Sequence, residues 1–171
     1  MIEQSLNRVE EIQELCLKHD KEMVTYISMG FGNPYGDPFH EDIVAKWIEK
    51  LSQLEIKIFA LSDTIGVSEP GIISRLFSTL IPEYPKLEIG AHLHTTPDTW
   101  EEKIASAHQN GCVRFDGAIL GFGGCPMAAD ELTGNMATEN LLSYFGKQEV
   151  DLSVSIAEFE NSKLAATQVF L

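Results

Sequence analysis

The segment LEIGAHLH, residues 87–94, is an apolar run that ends in two histidines, and it lies between two stretches of helical pattern. Before it, residues 68–85 read SEPGIISRLFSTLIPEYP, with a proline near the start and apolar residues on one stripe from Ile72 to Leu80. After it, Asp98 precedes a second stretch with helical spacing. The segment therefore predicts a buried strand between two helices, because a short apolar run bounded by turn signals is typical of a sheet interior.

The same alternation extends outward along the whole chain. Residues 3–19 and 153–169 have helical patterns, Thr138 is placed to cap a short helix, and Asp37–Pro38 offers a helix start followed by a stripe at Phe39, Ile43, Trp47 and Leu51. Three further strands are predicted: MVTYISM at 23–29, IKIFALS at 56–62 and CVRFDGAIL at 112–120.

About four strands and about six helical segments thus alternate in one domain that spans residues 1–171. Parallel neighbours need a crossover connection, which a helix supplies, so the sequence predicts an α/β fold of parallel βα units. Four such strands can form a small open sheet or half of an eight-stranded barrel.

Composition limits the partners. Twelve Lys+Arg against 26 Asp+Glu give a net charge of −14, which disfavours nucleic acid and anionic membrane surfaces. Three cysteines, an odd and sparse set, argue for a reducing compartment, and no stretch has the length of a membrane span. We therefore predict a cytoplasmic protein with no nucleic-acid or membrane partner, in which any anionic substrate is neutralised locally by a cation or a few Arg/Lys groups.

His92 and His94 carry the sharpest chemical signal. Side chains two residues apart in a strand point the same way, so both imidazoles project together while Leu93 faces the helical layer. Two convergent histidines at the carboxyl end of a parallel strand suit a metal site, since functional groups gather at that edge. A hydrogen-bonded polar pair at a strand end is the alternative.

Three weaker signals follow other predicted strands. Asp63, in LSDTIG, either caps a turn or belongs to a site on the same rim. The loop GFGGCP places Cys125 where it can donate or accept a proton, on three glycines that allow the loop to move. Asn135 either turns the chain or offers its amide oxygen to a cation.

Taken together, SDTIGVSEPG, AHLH, GFGGCPMA and TGNMATENLL, in this order, resemble the 3-hydroxy-3-methylglutaryl-CoA lyase family of metal-dependent barrel lyases. The resemblance runs from the first helix to about Gly146. Related isopropylmalate, homocitrate and citramalate synthases usually carry an acidic, arginine-containing segment before their Gly-Asn, where this chain has the cysteine loop. The resemblance implies the C-terminal half of a (β/α)8 TIM barrel.

It also implies a reaction and a set of residues. The reaction is a retro-Claisen cleavage of 3-hydroxy-3-methylglutaryl-CoA, an acyl-CoA substrate, to acetyl-CoA and acetoacetate, assisted by Mg²⁺ or Mn²⁺. The cation would be held by His92, His94 and Asn135, with Cys125 as the catalytic acid and Asp63 as a polar residue of the reaction chamber. The residues expected to line the mouth and bind substrate are Tyr26, Ser28, Asn33 and Thr64.

Two departures leave alternatives open. Thr95–Asp98 stands where the family usually has Asp-Thr and then Gly-Gln, and the family's first strand, with its adjacent Arg and Asp, has no counterpart here. Three interpretations follow. The chain is a fragment or one half of a split lyase that is active only with an N-terminal half-barrel partner; or a non-catalytic half-barrel or subunit that keeps a weak cation site; or a different small α/β enzyme that uses His92, His94 and Cys125 in its own way. A related Claisen-type synthase or aldolase, and a homo-oligomer, are further alternatives. Because a half-barrel leaves two open sheet edges, we expect the isolated chain to self-associate.

Overall fold

The structure is a computed structural model that describes residues 2–124 and 133–170. Its helices are α1 Ile2–Lys18, α2 Glu41–Ser52, α3 Pro70–Glu83, α4 Trp100–His108, α5 Thr138–Lys147 and α6 Ile156–Phe170. Its strands are β1 Val24–Ile27, β2 Ile58–Ser62, β3 Glu88–His92, β4 His94–Thr95, β5 Phe115–Asp116 and β6 Gly134–Asn135. A short 3-10 turn spans Ile119–Gly121.

Four of the strands form one parallel sheet in the order β1–β2–β3–β5. Helices α2, α3 and α4 provide the three crossovers in chain order, as parallel pairing requires. The prediction of parallel βα units is confirmed. The sequence did not indicate a second ladder, in which β4 pairs antiparallel with β6.

The two faces of the sheet differ in chemistry because side chains alternate along each strand. Phe59, Leu61, Ile89 and Ala91 are buried in the apolar core shared with the crossover helices. The alternate positions form the inner face. There the register sets Ser62 and Asp116 on either side of His92, which brings polar residues of three strands to one edge.

Helix α2 begins later than predicted. Asp37–Pro38 was expected to start it, but the helix begins at Glu41, and the His40 Nδ1 accepts the Asp42 N–H at 3.3 Å. Asp37 instead belongs to the preceding loop, where its N–H donates to the Asn33 Oδ1 at 3.1 Å. Local hydrogen bonding by Asn33 thus competes with helix initiation at Asp37.

The buried stripe of α2 also differs from the predicted one. Its buried residues are Val44, Ile48 and Leu51, whereas Ile43 is 41% exposed. A strict four-residue spacing drifts by about 40° per step around a helix of 3.6 residues per turn, so a stripe counted in fours leaves the core-facing side. In the described residues, no helix combines the length and the apolar character needed to cross a bilayer.

Candidate active site

The imidazole rings of His92 and His94 lie together at the carboxyl end of β3. Their centroids are 5.5 Å apart and their planes are perpendicular. The prediction that both rings project to one side is confirmed, and Leu93 between them is buried in the core side of the sheet. The two rings differ in access, because His94 is buried while the His92 side chain is 28% exposed.

The tautomer of His94 follows from its contact with Asp63. The His94 Nδ1 lies 2.5 Å from the backbone carbonyl oxygen of Asp63. A carbonyl only accepts, so Nδ1 carries the proton and, in the neutral ring, Nε2 keeps its lone pair. This is the arrangement that metal-binding histidines use, in which one nitrogen donates to a carbonyl and the other faces the cation.

His92 lies in a cluster with Asp116 and Tyr26. The Tyr26 hydroxyl donates to the Asp116 Oδ2 at 2.7 Å, and its ring contacts His92 edge-on at 5.3 Å between centroids. The His92 Nδ1 is 3.5 Å from the same oxygen, which is too long for a good hydrogen bond. That nitrogen is buried without a hydrogen-bond partner among the described residues.

The cluster shifts the acidity of both oxygen groups. The pKa of Asp116 lies below its usual value, mainly because His92 is close to the carboxylate and also because the Tyr26 hydroxyl donates to it. Partial burial acts in the opposite direction. The hydrogen bond to Asp116 raises the pKa of Tyr26. Sequence analysis did not single out Asp116. The signal that could have found it is its position in the predicted strand at 112–120, where alternate side chains face the same side of the sheet.

Asn135 reaches the site through the antiparallel ladder. It pairs directly with His94, and opposite residues in such a ladder project on the same side, with Cβ atoms about 4.5–5.5 Å apart. The Asn135 Nδ2 donates to the Phe122 carbonyl oxygen at 2.8 Å. The amide is therefore held by its nitrogen, and its oxygen is the group left to accept or to coordinate.

The glycine loop before Cys125 is shaped by close contact with Asn135. Gly121 and Gly123 have φ angles of 65° and 84°, a region that favours glycine. A Cβ at Gly123 would lie 3.0 Å from the Asn135 Nδ2, and one at Gly121 would lie 2.9 Å from the Asn135 carbonyl oxygen. These two glycines thus permit the loop to lie against Asn135. Cys125 itself lies outside the described residues, so its role as the acid stays a prediction.

Asp63 takes a position different from the one expected of a reaction-chamber residue. Its side chain is buried, and its carboxylate accepts the Ser68 N–H at 3.0 Å, the Ser68 hydroxyl at 2.5 Å and the Lys103 ammonium at 2.9 Å. The reason is the alternation of side chains, because Ser62 pairs with His92 on the inner face and the next residue turns toward the helices. Lys103, on α4, was missed by sequence analysis.

The expected substrate residues are dispersed around the rim. Tyr26 lies on the inner face, and Ser28 is exposed just beyond the end of β1. The Thr64 hydroxyl oxygen accepts the Met29 N–H at 2.9 Å, and the Asn33 side chain closes its own loop onto Tyr35 and Asp37. In this structure Tyr26 therefore joins the histidine cluster, whereas Thr64 and Asn33 hold loops. Substrate binding by these four residues stays a prediction.

Among the described residues, two imidazoles and one amide converge at the end of β3: those of His92, His94 and Asn135. Across residues 2–124 and 133–170, no group of three or more His, Cys, Asp and Glu side chains is arranged to hold a metal ion.

Comparison with known proteins identifies the fold and family. The HMGL-like family model matches residues 2–164. A 3-hydroxy-3-isohexenylglutaryl-CoA/hydroxymethylglutaryl-CoA lyase of Pseudomonas aeruginosa is 31% identical over 158 residues, which cover 91% of this chain and 51% of that enzyme. The crystal structure of HMG-CoA lyase from Bacillus subtilis superposes with a TM-score of 0.87 at 27% identity, over 96% of this chain and 55% of that one.

A third neighbour is an HMG-CoA lyase from Acinetobacter baumannii in complex with coenzyme A and 3-methylmalate, with a TM-score of 0.79 at 26% identity, over 94% of this chain and 52% of that one. The chain thus spans about half the length of the relatives it matches. The predicted fold class is confirmed, because these neighbours are TIM barrels and the described sheet corresponds to half of one. The chain therefore belongs to the HMGL-like family and has the fold of the C-terminal half of its barrel.

Proposed function

We propose that this chain supplies the cation-binding half of a hydroxymethylglutaryl-CoA lyase-type active site. The observation that supports the proposal most directly is that three side chains converge. His92 and His94 lie together at the end of β3, and Asn135 lies opposite His94 in the β4–β6 ladder. The reaction is the retro-Claisen cleavage of 3-hydroxy-3-methylglutaryl-CoA to acetyl-CoA and acetoacetate. Family membership supports the reaction class, since the relatives are named as lyases of this substrate.

The donor set suits a divalent cation such as Mg²⁺ or Mn²⁺. Because the His94 Nδ1 donates to the Asp63 carbonyl oxygen, the His94 Nε2 is left as an acceptor. Because the Asn135 Nδ2 donates to the Phe122 carbonyl oxygen, the Asn135 amide oxygen is left to coordinate a cation. The amide oxygen is a hard ligand, and together with imidazole nitrogen it suits Mn²⁺ or Mg²⁺ better than a thiolate site would. When bound, such a cation polarises the substrate's tertiary hydroxyl and an adjacent oxygen, which lowers the pKa of that hydroxyl.

The chain's own residues then have separate tasks. A base takes the hydroxyl proton, the carbon–carbon bond breaks as the hydroxyl-bearing carbon becomes the ketone of acetoacetate, and the departing thioester enolate takes a proton on carbon to become acetyl-CoA. Cys125 is the proposed donor of that proton, because it directly follows Gly124, next to the loop that lies on Asn135. Tyr26 and Asp116, which are hydrogen-bonded to each other beside His92, are proposed to orient the His92 ring and the substrate. The buried Asp63 is assigned to positioning rather than to proton transfer.

The acidic composition supports a role for the cation in substrate binding. A net charge of −14 repels an anionic acyl-CoA unless positive charge is placed locally. The complex of the Acinetobacter baumannii relative with coenzyme A supports the same substrate class for this fold. Because the chain covers about half of its relatives, we further propose that turnover requires the other half of the barrel, which an N-terminal half-barrel partner can supply.

The test measures binding and turnover separately. Mn²⁺ affinity is measured by calorimetry for the wild type and for His92→Ala and His94→Ala, and acetoacetate formation from 3-hydroxy-3-methylglutaryl-CoA is followed with and without the N-terminal half of the Bacillus subtilis relative. We expect each alanine variant to weaken Mn²⁺ binding at least about tenfold, and acetoacetate to appear when the second half is present. Equal Mn²⁺ affinity in all three proteins would refute the cation site. Tight binding without turnover under both conditions would favour a non-catalytic half-barrel.

A further inference from the structure

We propose that Lys103 is a positioning residue that holds His94 in the tautomer and orientation that present Nε2 to a cation. The part of this inference that concerns the cation rests on the proposed function. The part that concerns the geometry of His94 does not.

Lys103 is a lysine in an unusual place. It lies on α4, on the helical side of the sheet, and is 4% exposed. Its ammonium contacts the Asp63 Oδ2 at 2.9 Å, the His94 carbonyl oxygen at 2.8 Å and the Gly66 carbonyl oxygen at 3.4 Å. An ammonium has three donors, and the two short contacts and the longer one occupy all three directions.

These contacts close a ring through the two strand ends. The His94 ring donates to the Asp63 carbonyl oxygen, and the His94 carbonyl oxygen accepts from Lys103, which in turn binds the Asp63 carboxylate. Asp63 and His94 are therefore joined twice, once directly through the ring and once through the ammonium. Two links restrict the rotation of the segment that carries the imidazole more than one link does.

If the Lys103–Asp63 ion pair had only a structural role, the additional hydrogen bond from Lys103 to the His94 carbonyl oxygen would not be needed. Ser68 already gives two hydrogen bonds to the Asp63 carboxylate, so Lys103 is not its sole partner. Replacing both members of a buried ion pair with apolar residues of similar volume is often neutral for stability. What the apolar pair cannot replace is the donor on the His94 carbonyl oxygen, and this difference separates a positioning role from a structural one.

The test uses the double variant Asp63→Leu/Lys103→Met of the full chain, with Ile104→Val as a control. Ile104 is the next residue on α4 and is buried in the core, so its truncation perturbs the same helix without touching His94. Two quantities are measured: the solvent exchange rate of the His94 Nδ1–H by NMR of ¹⁵N-histidine-labelled protein, and the dissociation constant for Mn²⁺. We expect exchange to be at least about tenfold faster, and Mn²⁺ binding about 10–100-fold weaker, in the double variant.

The control should keep both values within about twofold of the wild type. A folded double variant with wild-type exchange and wild-type Mn²⁺ affinity would overturn the proposal. If it does not fold, the same two measurements are made on Asp63→Asn/Lys103→Met, which keeps a polar partner for Ser68 but has no donor for the His94 carbonyl oxygen. Failure of both variants to fold would assign the pair to the fold itself, against the proposal. If the wild type binds no Mn²⁺, the proposed function fails, while the exchange rate of the His94 proton still decides the role of Lys103.

Discussion

The Tyr26 hydroxyl donates to the Asp116 carboxylate at 2.7 Å, although the two residues belong to the two edge strands of the four-stranded sheet. Two strands lie between β1 and β5, so a flat sheet would keep these side chains far apart. The contact therefore shows that the inner face is concave, as in part of a barrel wall. It also brings the edge strands' side chains together around His92.

We expect this bond to couple the two edges energetically. In a double-mutant cycle of Tyr26→Phe and Asp116→Asn, the free energy of unfolding should show a coupling of about 0.5–1.5 kcal/mol, since the bond is partly exposed and screened. The measurement is urea denaturation of the wild type, both single variants and the double variant. Additive effects would show that the contact does not form in solution.

Gly123→Ala should damage the cation site with little effect on the fold. The new Cβ would lie 3.0 Å from the Asn135 Nδ2, on a backbone with φ of 84°, so either the loop or the Asn135 amide must shift. We expect the dissociation constant for Mn²⁺ to rise about tenfold. The control is Gly146→Ala, where nothing lies within 4 Å and the residue is in α5. That variant should bind Mn²⁺ as the wild type does, and its free energy of unfolding should be about 0.5–1 kcal/mol higher than that of the wild type. Equal affinity in both variants would contradict the assignment of Asn135.

Val113→Lys should reduce self-association of the chain. Val113 precedes the edge strand β5, is 82% exposed, and borders an apolar cavity of about 330 Å³ beside α5. An open, apolar sheet edge invites pairing with another chain, and lysine disfavours it. Losing the burial of one valine, worth about 1.5 kcal/mol, should raise the dissociation constant of the associated form about tenfold. Sedimentation velocity measures this, with Val169→Lys on α6, 74% exposed, as the control. A wild-type chain that stays monomeric at high concentration would refute the expectation.

Alkaline pH should destabilise the protein partly through Cys112. Burial raises the pKa of this thiol to about 12, whereas in the unfolded chain its pKa is about 8.5. Because the folded state keeps the proton longer, this contribution to stability is complete below about pH 8.5 and is lost as pH rises toward 12, at up to about 1.4 kcal/mol per pH unit. The free energy of unfolding measured from pH 8 to 11 should therefore fall less steeply for Cys112→Ala than for the wild type. Cys16→Ala keeps Cys112 and should retain the wild-type slope; an unchanged slope in both variants would contradict the assignment.

Much of the fold was readable from local patterns. The alternation of apolar runs with helical stripes predicts the parallel βα units, because strand and helix periods are properties of short stretches of chain. The spacing of His92 and His94 predicts their convergence for the same reason, since side chains two apart in a strand share a face. Two features of α2 were predicted wrongly. Its start was placed too early, because Asn33 holds Asp37 in the preceding loop. Its buried stripe was misplaced, because residues spaced by four drift away from the core-facing side of the helix.

Contacts between distant residues were decided by the tertiary structure alone. The sequence by itself determined which segments alternate and that both imidazoles lie at a strand end. It did not fix the strand ends themselves, since the strands predicted at 23–29 and 112–120 are shortened to Val24–Ile27 and Phe115–Asp116. Only the assembled sheet and helices brought Lys103 to Asp63, Asn135 to His94 and Asp116 to Tyr26, over separations of 40, 41 and 90 residues. The physical reason is that such pairs depend on the register between strands and on the packing of helices across them, and neither is encoded in the periodicity of any one segment.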